Sequence, residues 1–233
     1  MVTVFAICAG LTSVRMSLEG HLETALAFIL LAVFLDAADG KLARFLNTAS
    51  PFGAELDTLA DFFNFGIAPG ILLFNTLYLG TVNANMGWLA TLVLAVCCAL
   101  RLARFNLSLG DSNVVMKKDN FFVGVPAPAV ACLALMPVFM HLSGWHNVDQ
   151  PIIRTVYIIG VGLLAVSTIP TFSIKHASIK RSQMPFAIIT AVIAVVGIMT
   201  YPWSMLVALN LVYLGTLPFS YVAHKNQVEN GNR

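Results

Sequence analysis

Long apolar segments recur along the whole chain, and no long polar stretch interrupts them. Several of these segments reach about twenty residues, the length that an α-helix needs to cross the hydrocarbon core of a bilayer. Only 10% of the residues are charged, whereas an ordinary soluble domain has about 25%. Because lipid cannot satisfy backbone polar groups, this pattern predicts an integral membrane protein made of helices.

Polar turns divide the sequence into about eight apolar segments. The expected fold class is therefore all-α: a polytopic helical bundle with about eight transmembrane helices. We expect one transmembrane domain over residues 1–223 and a polar C-terminal tail over residues 224–233. The predicted helices cover residues 1–18, 22–46, 51–79, 87–108, 125–142, 151–170, 185–200 and 203–223.

Basic residues are distributed unevenly between the two predicted sides of the membrane. Eight spans place eleven Lys and Arg residues on one side and two, Arg15 and Arg154, on the other. The excess of basic residues marks the cytoplasmic side of membrane proteins. This distribution predicts that both termini are cytoplasmic, together with the end of the second helix and the start of the third.

Aspartates concentrate in the turn region between the second and third predicted helices. Asp36 and Asp39 are three residues apart, and Asp57 and Asp61 are four apart. Either spacing places a pair on one helix face, and a short turn would bring the two pairs together. Clustered carboxylates repel one another unless cations lie between them. Oxygen ligands favour Mg²⁺ or Mn²⁺, and two such ions are usual in phosphoryl-type displacement.

Small residues and one arginine accompany the aspartates. Gly40, Ala43 and Gly53 would allow a second helix or a ligand to approach closely. Arg44 provides a planar cation suited to phosphate oxygens. Metal ligands beside such a cation fit a diphosphate. Glu55 lies off the face that carries the aspartates, so a supporting or outward role is expected for it.

A cation-coupled transporter is an alternative, because transporters also place acidic residues inside helical bundles. In this chain all four aspartates lie toward one end of two helices. The predicted helices five to eight carry almost no acidic residue, so they offer no continuing ion pathway. The pattern therefore favours an enzyme.

The complete spacing of these residues resembles the signature of the CDP-alcohol phosphatidyltransferase family. It reads D-x-x-D-G-x-x-A-R, then eight residues, then G-x-x-x-D-x-x-x-D. The segments SPFGAELDTLADFFNFGIAPG, RLARFN, FFVGVPAPAVA and IPTFSIK are further similar to the membrane-bound phosphatidylserine synthases of that family. The likeness covers about residues 10–185.

The resemblance implies a reaction and roles for individual residues. The expected reaction transfers a phosphatidyl group from CDP-diacylglycerol to the hydroxyl of L-serine, giving phosphatidylserine and CMP. Asp61 would act as the general base and also bind metal. The implied contacts to CDP-diacylglycerol are Gly40, Arg44 and Ser50. The implied ligands of two Mg²⁺ or Mn²⁺ ions are Asp36, Asp39, Asp57 and Asp61.

The resemblance also implies a setting for the enzyme. It would be a homodimer in the cell (inner) membrane, with its active site facing the cytoplasm and no nucleic acid among its partners. The same chemistry with another acceptor, such as glycerol 3-phosphate, inositol phosphate or choline, remains an alternative.

Three basic residues near the cytoplasmic side could bind the serine carboxylate or a donor phosphate. Arg101 and Arg104 lie one turn apart at the end of the fourth predicted helix, and Lys175 follows the sixth. The other interpretation is that these long side chains reach out to lipid headgroup phosphates.

Overall fold

Helices account for most of the chain. The structure is a computed structural model that describes residues 2–46, 50–110, 121–145, 150–167, 170–172 and 184–231. Over these residues it contains ten α-helices, a π-helical segment at Phe63–Ile67 and two short strands. The α-helices are α1 (Val2–Leu18), α2 (Leu22–Leu46), α3 (Pro51–Phe62), α4 (Ala68–Leu77), α5 (Ala84–Gly110), α6 (Ala127–Ala134), α7 (Met136–Leu142), α8 (Pro151–Val166), α9 (Met184–Thr200) and α10 (Pro202–Gly231).

The third predicted helix is a continuous helical run that changes pitch. The π-helical segment joins α3 to α4, and the backbone N–H of Ala68 bonds to the carbonyl of Phe63. Pro69 follows directly. Proline donates no hydrogen bond, and its ring clashes with the carbonyl four residues earlier in a regular α-helix. The wider π turn accommodates it, so the helix changes pitch just beyond Asp61 and continues.

Two other predicted helices differ from the observed ones. The segment predicted over residues 125–142 is two helices, α6 and α7, which meet at Leu135. Pro137 explains the break, because it cannot donate to a preceding turn and is favoured at a helix start. The last helix continues to Gly231 without a break at residue 224.

A two-stranded antiparallel sheet, absent from the all-α prediction, joins two loops. Strand β1 (Phe121–Val123) pairs with β2 (Pro170–Phe172), and Phe121 lies opposite Phe172. Each strand has three residues, too few to show the alternation that would predict a strand from sequence. The sheet ties the start of α6 to the end of α8.

Close helix contacts hold the bundle together. Helix α1 packs along α2, and α5 packs along α8. Glycines permit the approach of α5: a Cβ built on Gly66 would lie 3.1 Å from Cys98 Cβ, and one on Gly70 would lie 2.9 Å from Thr91 Cγ2. Small residues at helix crossings are typical of membrane bundles. The largest fully buried side chains include Leu26, Ile29, Leu72, Leu94, Leu133, Phe139 and Ile158.

The outer surface is apolar. Phe34 is 70% exposed and Val156 is 65% exposed, which suits lipid and not water. Within the part of the chain that the structure describes, two helical runs, Pro51–Leu77 and Ala84–Leu107, are long and apolar enough to cross a membrane. The architecture is that of a helical membrane protein. Eight spans and cytoplasmic termini stay predictions.

Candidate active site

The four aspartates lie on neighbouring parts of α2 and α3, and all four are half-buried. The side chains of Asp36 and Asp61 lie close enough to interact with each other across the two helices. Asp57 lies within electrostatic range of both Asp36 and Asp39. The antiparallel arrangement of α2 and α3 therefore brings the two predicted pairs together. We call these four residues the aspartate cluster.

Asp39 has a partner that the sequence did not suggest. The hydroxyl of Thr3 in α1 donates a hydrogen bond to Asp39 Oδ2. Thr3 is only 8% exposed. A buried donor of this kind orients a carboxylate and offsets part of the cost of taking its charge out of water. Helix α1 thus forms one wall of the site.

The donor atoms of the cluster suit a hard divalent cation. Carboxylate oxygens are the ligands that Mg²⁺ and Mn²⁺ prefer. Two neighbouring carboxylates, such as those of Asp36 and Asp61, repel each other unless a proton or a cation lies between them. Among the described residues, however, no three Asp, Glu, His or Cys side chains converge into a formed metal site. The residue types fit the predicted cation, and the side chains are not yet arranged as a coordination shell.

Of the residues predicted to contact the donor, Ser50 has a visible structural role. It is the N-cap of α3, and its Oγ accepts a hydrogen bond from the Gly53 N–H at 3.0 Å. This cap fixes the first turn of the helix that carries Asp57 and Asp61. Gly40 and Arg44 are residues of α2. The structure does not describe the Arg44 side chain. Lys175 lies outside the described residues.

The two arginines at the end of α5 hold backbone carbonyls next to the short sheet. Arg101 Nε donates to the Val125 carbonyl at 2.6 Å, just after β1. Arg104 Nη1 donates to the Val166 carbonyl at 2.7 Å, at the end of α8. Arg101 also lies within electrostatic range of Asp61. Arg101 therefore lies near the aspartate cluster, whereas Arg104 binds the end of α8, just before strand β2.

Other polar groups beside the cluster escaped the sequence analysis. Asn64 is 1% exposed, and its Oδ1 has no hydrogen-bond partner among the described residues. It lies in the π-helical segment, three residues after Asp61. Asn106 Nδ2 in α5 donates to Thr58 Oγ1 in α3 at 3.1 Å, beside Asp57. Asn64 could have been found from the sequence, because it is a polar residue one helical turn after Asp61 in an otherwise apolar segment. Glu55 is exposed, as expected.

Known proteins match this chain over most of its length. A family model described as CDP-alcohol phosphatidyltransferase matches residues 1–166, which include the aspartate cluster. A CDP-diacylglycerol–serine O-phosphatidyltransferase of Mycobacterium leprae is 35% identical over 221 residues, covering 94% of this chain and 72% of that protein. The protein of the same name from Bacillus subtilis is 35% identical over 182 residues, covering 76% of this chain and 92% of that protein. The one from Methanocaldococcus jannaschii is 33% identical over 169 residues, covering 72% and 70%.

Proposed function

Because the chain belongs to the CDP-alcohol phosphatidyltransferase family, we propose that it transfers a phosphatidyl group from CDP-diacylglycerol to the hydroxyl of L-serine. The products are phosphatidylserine and CMP. The names of the bacterial and archaeal relatives support serine as the acceptor. The structural observation that carries the proposal is the proximity of Asp57 and Asp61 to Asp36, which brings the two halves of the signature to one site.

The reaction is a displacement at phosphorus. The serine oxygen forms a bond to the lipid-linked phosphorus, and the bond from that phosphorus to the CMP oxygen breaks. The serine hydroxyl proton passes to the Asp61 carboxylate, which acts as general base. The surroundings of Asp61 support this role, because its carboxyl group interacts electrostatically with Asp36 of α2 and with Arg101 of α5.

The metal requirement is proposed on the same residues. The family is generally dependent on a divalent metal, and we assign two Mg²⁺ or Mn²⁺ ions to the aspartate cluster. Such ions, when bound, neutralise a diphosphate and stabilise the charge on the departing CMP. Thr3 orients Asp39 toward this task, and Arg101 adds a fixed positive charge on the α5 side.

The donor and acceptor contacts complete the proposal. Gly40, Arg44 and Ser50 are assigned to the CDP part of CDP-diacylglycerol. Arg101 is favoured for the serine carboxylate over Arg104, because it is the arginine within electrostatic range of Asp61. Lys175 keeps its predicted role toward the acceptor or a phosphate.

The membrane setting of the proposal comes from the sequence. The distribution of Lys and Arg supports a single domain of eight spans in the cell membrane, with the site and both termini in the cytoplasm. We further propose a homodimer. The assay described next, run on sealed vesicles, reports the side from which serine is accepted, and the mass of the purified particle reports the dimer.

The test is CMP release by the purified chain given CDP-diacylglycerol with Mg²⁺ or Mn²⁺. It compares serine with each rival alcohol and compares Asp61→Asn with Glu55→Gln. Glu55 is the matched control, because it is a carboxylate of the same helix that is exposed. We expect serine-dependent release that falls by about 10²–10⁴-fold in Asp61→Asn, the usual contribution of a general base. The Glu55→Gln variant should keep the wild-type rate.

Other outcomes have distinct meanings. Release that depends on another alcohol would keep the chemistry and overturn the acceptor. An equal loss in both variants would contradict the role of Asp61. No release with any acceptor, in folded protein supplied with metal, would overturn the phosphatidyltransferase function and favour the transporter.

A further inference from the structure

Tyr213 of α10 has a buried hydroxyl that forms no hydrogen bond with any residue the structure describes. Its ring packs against the main buried core, so the side chain is held in place. Buried polar groups in folded proteins are nearly always paired, because an unpaired one loses its bonds to water without replacement. The Tyr213 hydroxyl therefore needs a partner from outside the described part of the chain.

Two other tyrosine hydroxyls in the bundle have partners within the protein. Tyr78 Oη lies 2.9 Å from Thr155 Oγ1, and Tyr157 Oη donates to the Leu133 carbonyl at 2.9 Å. Both hydroxyls thus join helices that pack together. Tyr213 makes no such bond among the described residues, so helix packing does not account for its hydroxyl.

A fixed cation lies near this hydroxyl. Tyr213 is within electrostatic range of Arg101 in α5, and Arg101 is in turn within range of Asp61, the proposed general base. Arg101 Nε donates to the Val125 carbonyl at 2.6 Å, which fixes one edge of the guanidinium. Its two terminal nitrogens carry four further N–H donors in a planar fork, the arrangement that binds a carboxylate with two parallel bonds.

The short sheet connects α10 to the surroundings of Arg101. Helix α10 packs against β2, and β2 pairs with β1. Val125, whose carbonyl Arg101 binds, follows β1 by two residues. The family model ends at residue 166, so α10 lies beyond the matched region. Tertiary packing, and not the signature, therefore brings Tyr213 to this part of the molecule.

We propose that the Tyr213 hydroxyl donates a hydrogen bond to the carboxylate of the acceptor amino acid, whose other contact is Arg101. This inference rests on the proposed function. A carboxylate has two oxygens with about four lone-pair sites, so it can accept from both side chains at once. An alcohol without a carboxylate, such as choline, would leave both groups unpaired, and a site of this kind discriminates strongly against such an analogue. Tyr213 would thus help to select serine.

Kinetics of CMP release by the purified full chain, with CDP-diacylglycerol and serine, test this proposal. Tyr213→Phe removes only the hydroxyl oxygen. We expect it to raise the KM for serine by about 10–100-fold, the factor for loss of one hydrogen bond to a charged group. The kcat and the KM for CDP-diacylglycerol should stay at the wild-type values. Tyr157→Phe is the matched control, because its hydroxyl is paired with the Leu133 carbonyl inside the bundle, and its serine KM should be unchanged.

A double variant tests whether Tyr213 and Arg101 contact the same group. In the Arg101→Gln background, Tyr213→Phe should change the serine KM by only a few-fold, because two residues that hold one carboxylate are coupled. Thermal melting of each variant confirms that it is folded. Independent, multiplicative effects of the two substitutions would place the hydroxyl away from the carboxylate and overturn the proposal.

Two other outcomes would also overturn it. One is a wild-type serine KM in Tyr213→Phe. The other is an equal rise in the KM for serine and for CDP-diacylglycerol, since that would indicate a purely structural role for the hydroxyl. Failure of the proposed function is distinguishable from both, because the wild type itself would then show no serine-dependent CMP release.

Discussion

The hydrogen bond from Thr3 to Asp39 allows a test of whether helix α1 orients one of the proposed metal ligands. Thr3→Val keeps a similar side-chain shape and removes the hydroxyl that Asp39 accepts from. The Asp39 carboxylate then stays half-buried without that donor. Because Thr3 lies in α1 and its hydroxyl reaches the cluster through this bond, the variant tests whether α1 orients a proposed metal ligand.

The expected size of the effect follows from the charge on the acceptor. A hydrogen bond to a charged group contributes about 1.5–3 kcal/mol, and 1.4 kcal/mol is tenfold in an equilibrium constant. The loss therefore corresponds to about 10–100-fold in metal affinity. Removal of the residue that orients a metal ligand in other proteins costs about the same, 10–100-fold. The two routes agree, so we expect a Mn²⁺ dissociation constant raised by about 10–100-fold.

The assay is Mn²⁺ binding followed by electron paramagnetic resonance on purified protein without substrates. The metal concentration for half-maximal CMP release should shift by the same factor. Thr12→Val is the matched control, because Thr12 lies in the same helix and its hydroxyl donates to the Cys8 carbonyl at 2.7 Å, within α1. Wild-type Mn²⁺ affinity in Thr3→Val would refute the reasoning. Equal weakening in both threonine variants would do so too, since it would point to a general effect on α1.

Two further predictions concern residues to which the structure gives a contact within the protein in addition to the proposed role. Ser50→Ala removes the cap on the Gly53 N–H and should lower the free energy of unfolding by about 1 kcal/mol. Ser50→Asp keeps a side chain that can cap the helix, so its thermal stability should be close to that of the wild type. The KM of this variant for CDP-diacylglycerol then shows whether the Ser50 hydroxyl itself contacts the donor. Arg101→Gln should raise the KM for serine more than Arg104→Gln does, because Arg101 interacts with Asp61, whereas Arg104 donates to the Val166 carbonyl. A normal serine KM in Arg101→Gln would exclude its role toward the carboxylate.

Much of the architecture was predictable because its signals are local. Helix α2 was predicted over residues 22–46 and is observed at Leu22–Leu46. Apolar length and polar turns are properties of neighbouring residues, so they can be read along the chain. The same holds for the spacing of Asp36, Asp39, Asp57 and Asp61, which led to the family that the comparison confirms.

Proline positions gave a partial signal. Pro69 and Pro137 both occupy places where a regular α-helix cannot continue unchanged, although both predicted helices, 51–79 and 125–142, ran through them. The outcome differed between them, with a π-helical segment before Pro69 and a break between α6 and α7 before Pro137. A proline by itself therefore does not specify which of these two backbone forms is adopted.

Tertiary structure alone decided which groups complete the site. The hydrogen bonds from Thr3 to Asp39, from Arg101 to Val125 and from Arg104 to Val166 join residues 36, 24 and 62 positions apart. Each of these hydrogen bonds depends on which helices pack together, and a pattern of neighbouring residues does not predict that packing. The amino-acid sequence by itself determined the helices and the acidic chemistry. The packing of α1 against α2 and of α5 against α3 determined which side chains reach the acids, because a hydrogen bond forms only where folding brings donor and acceptor within about 3 Å.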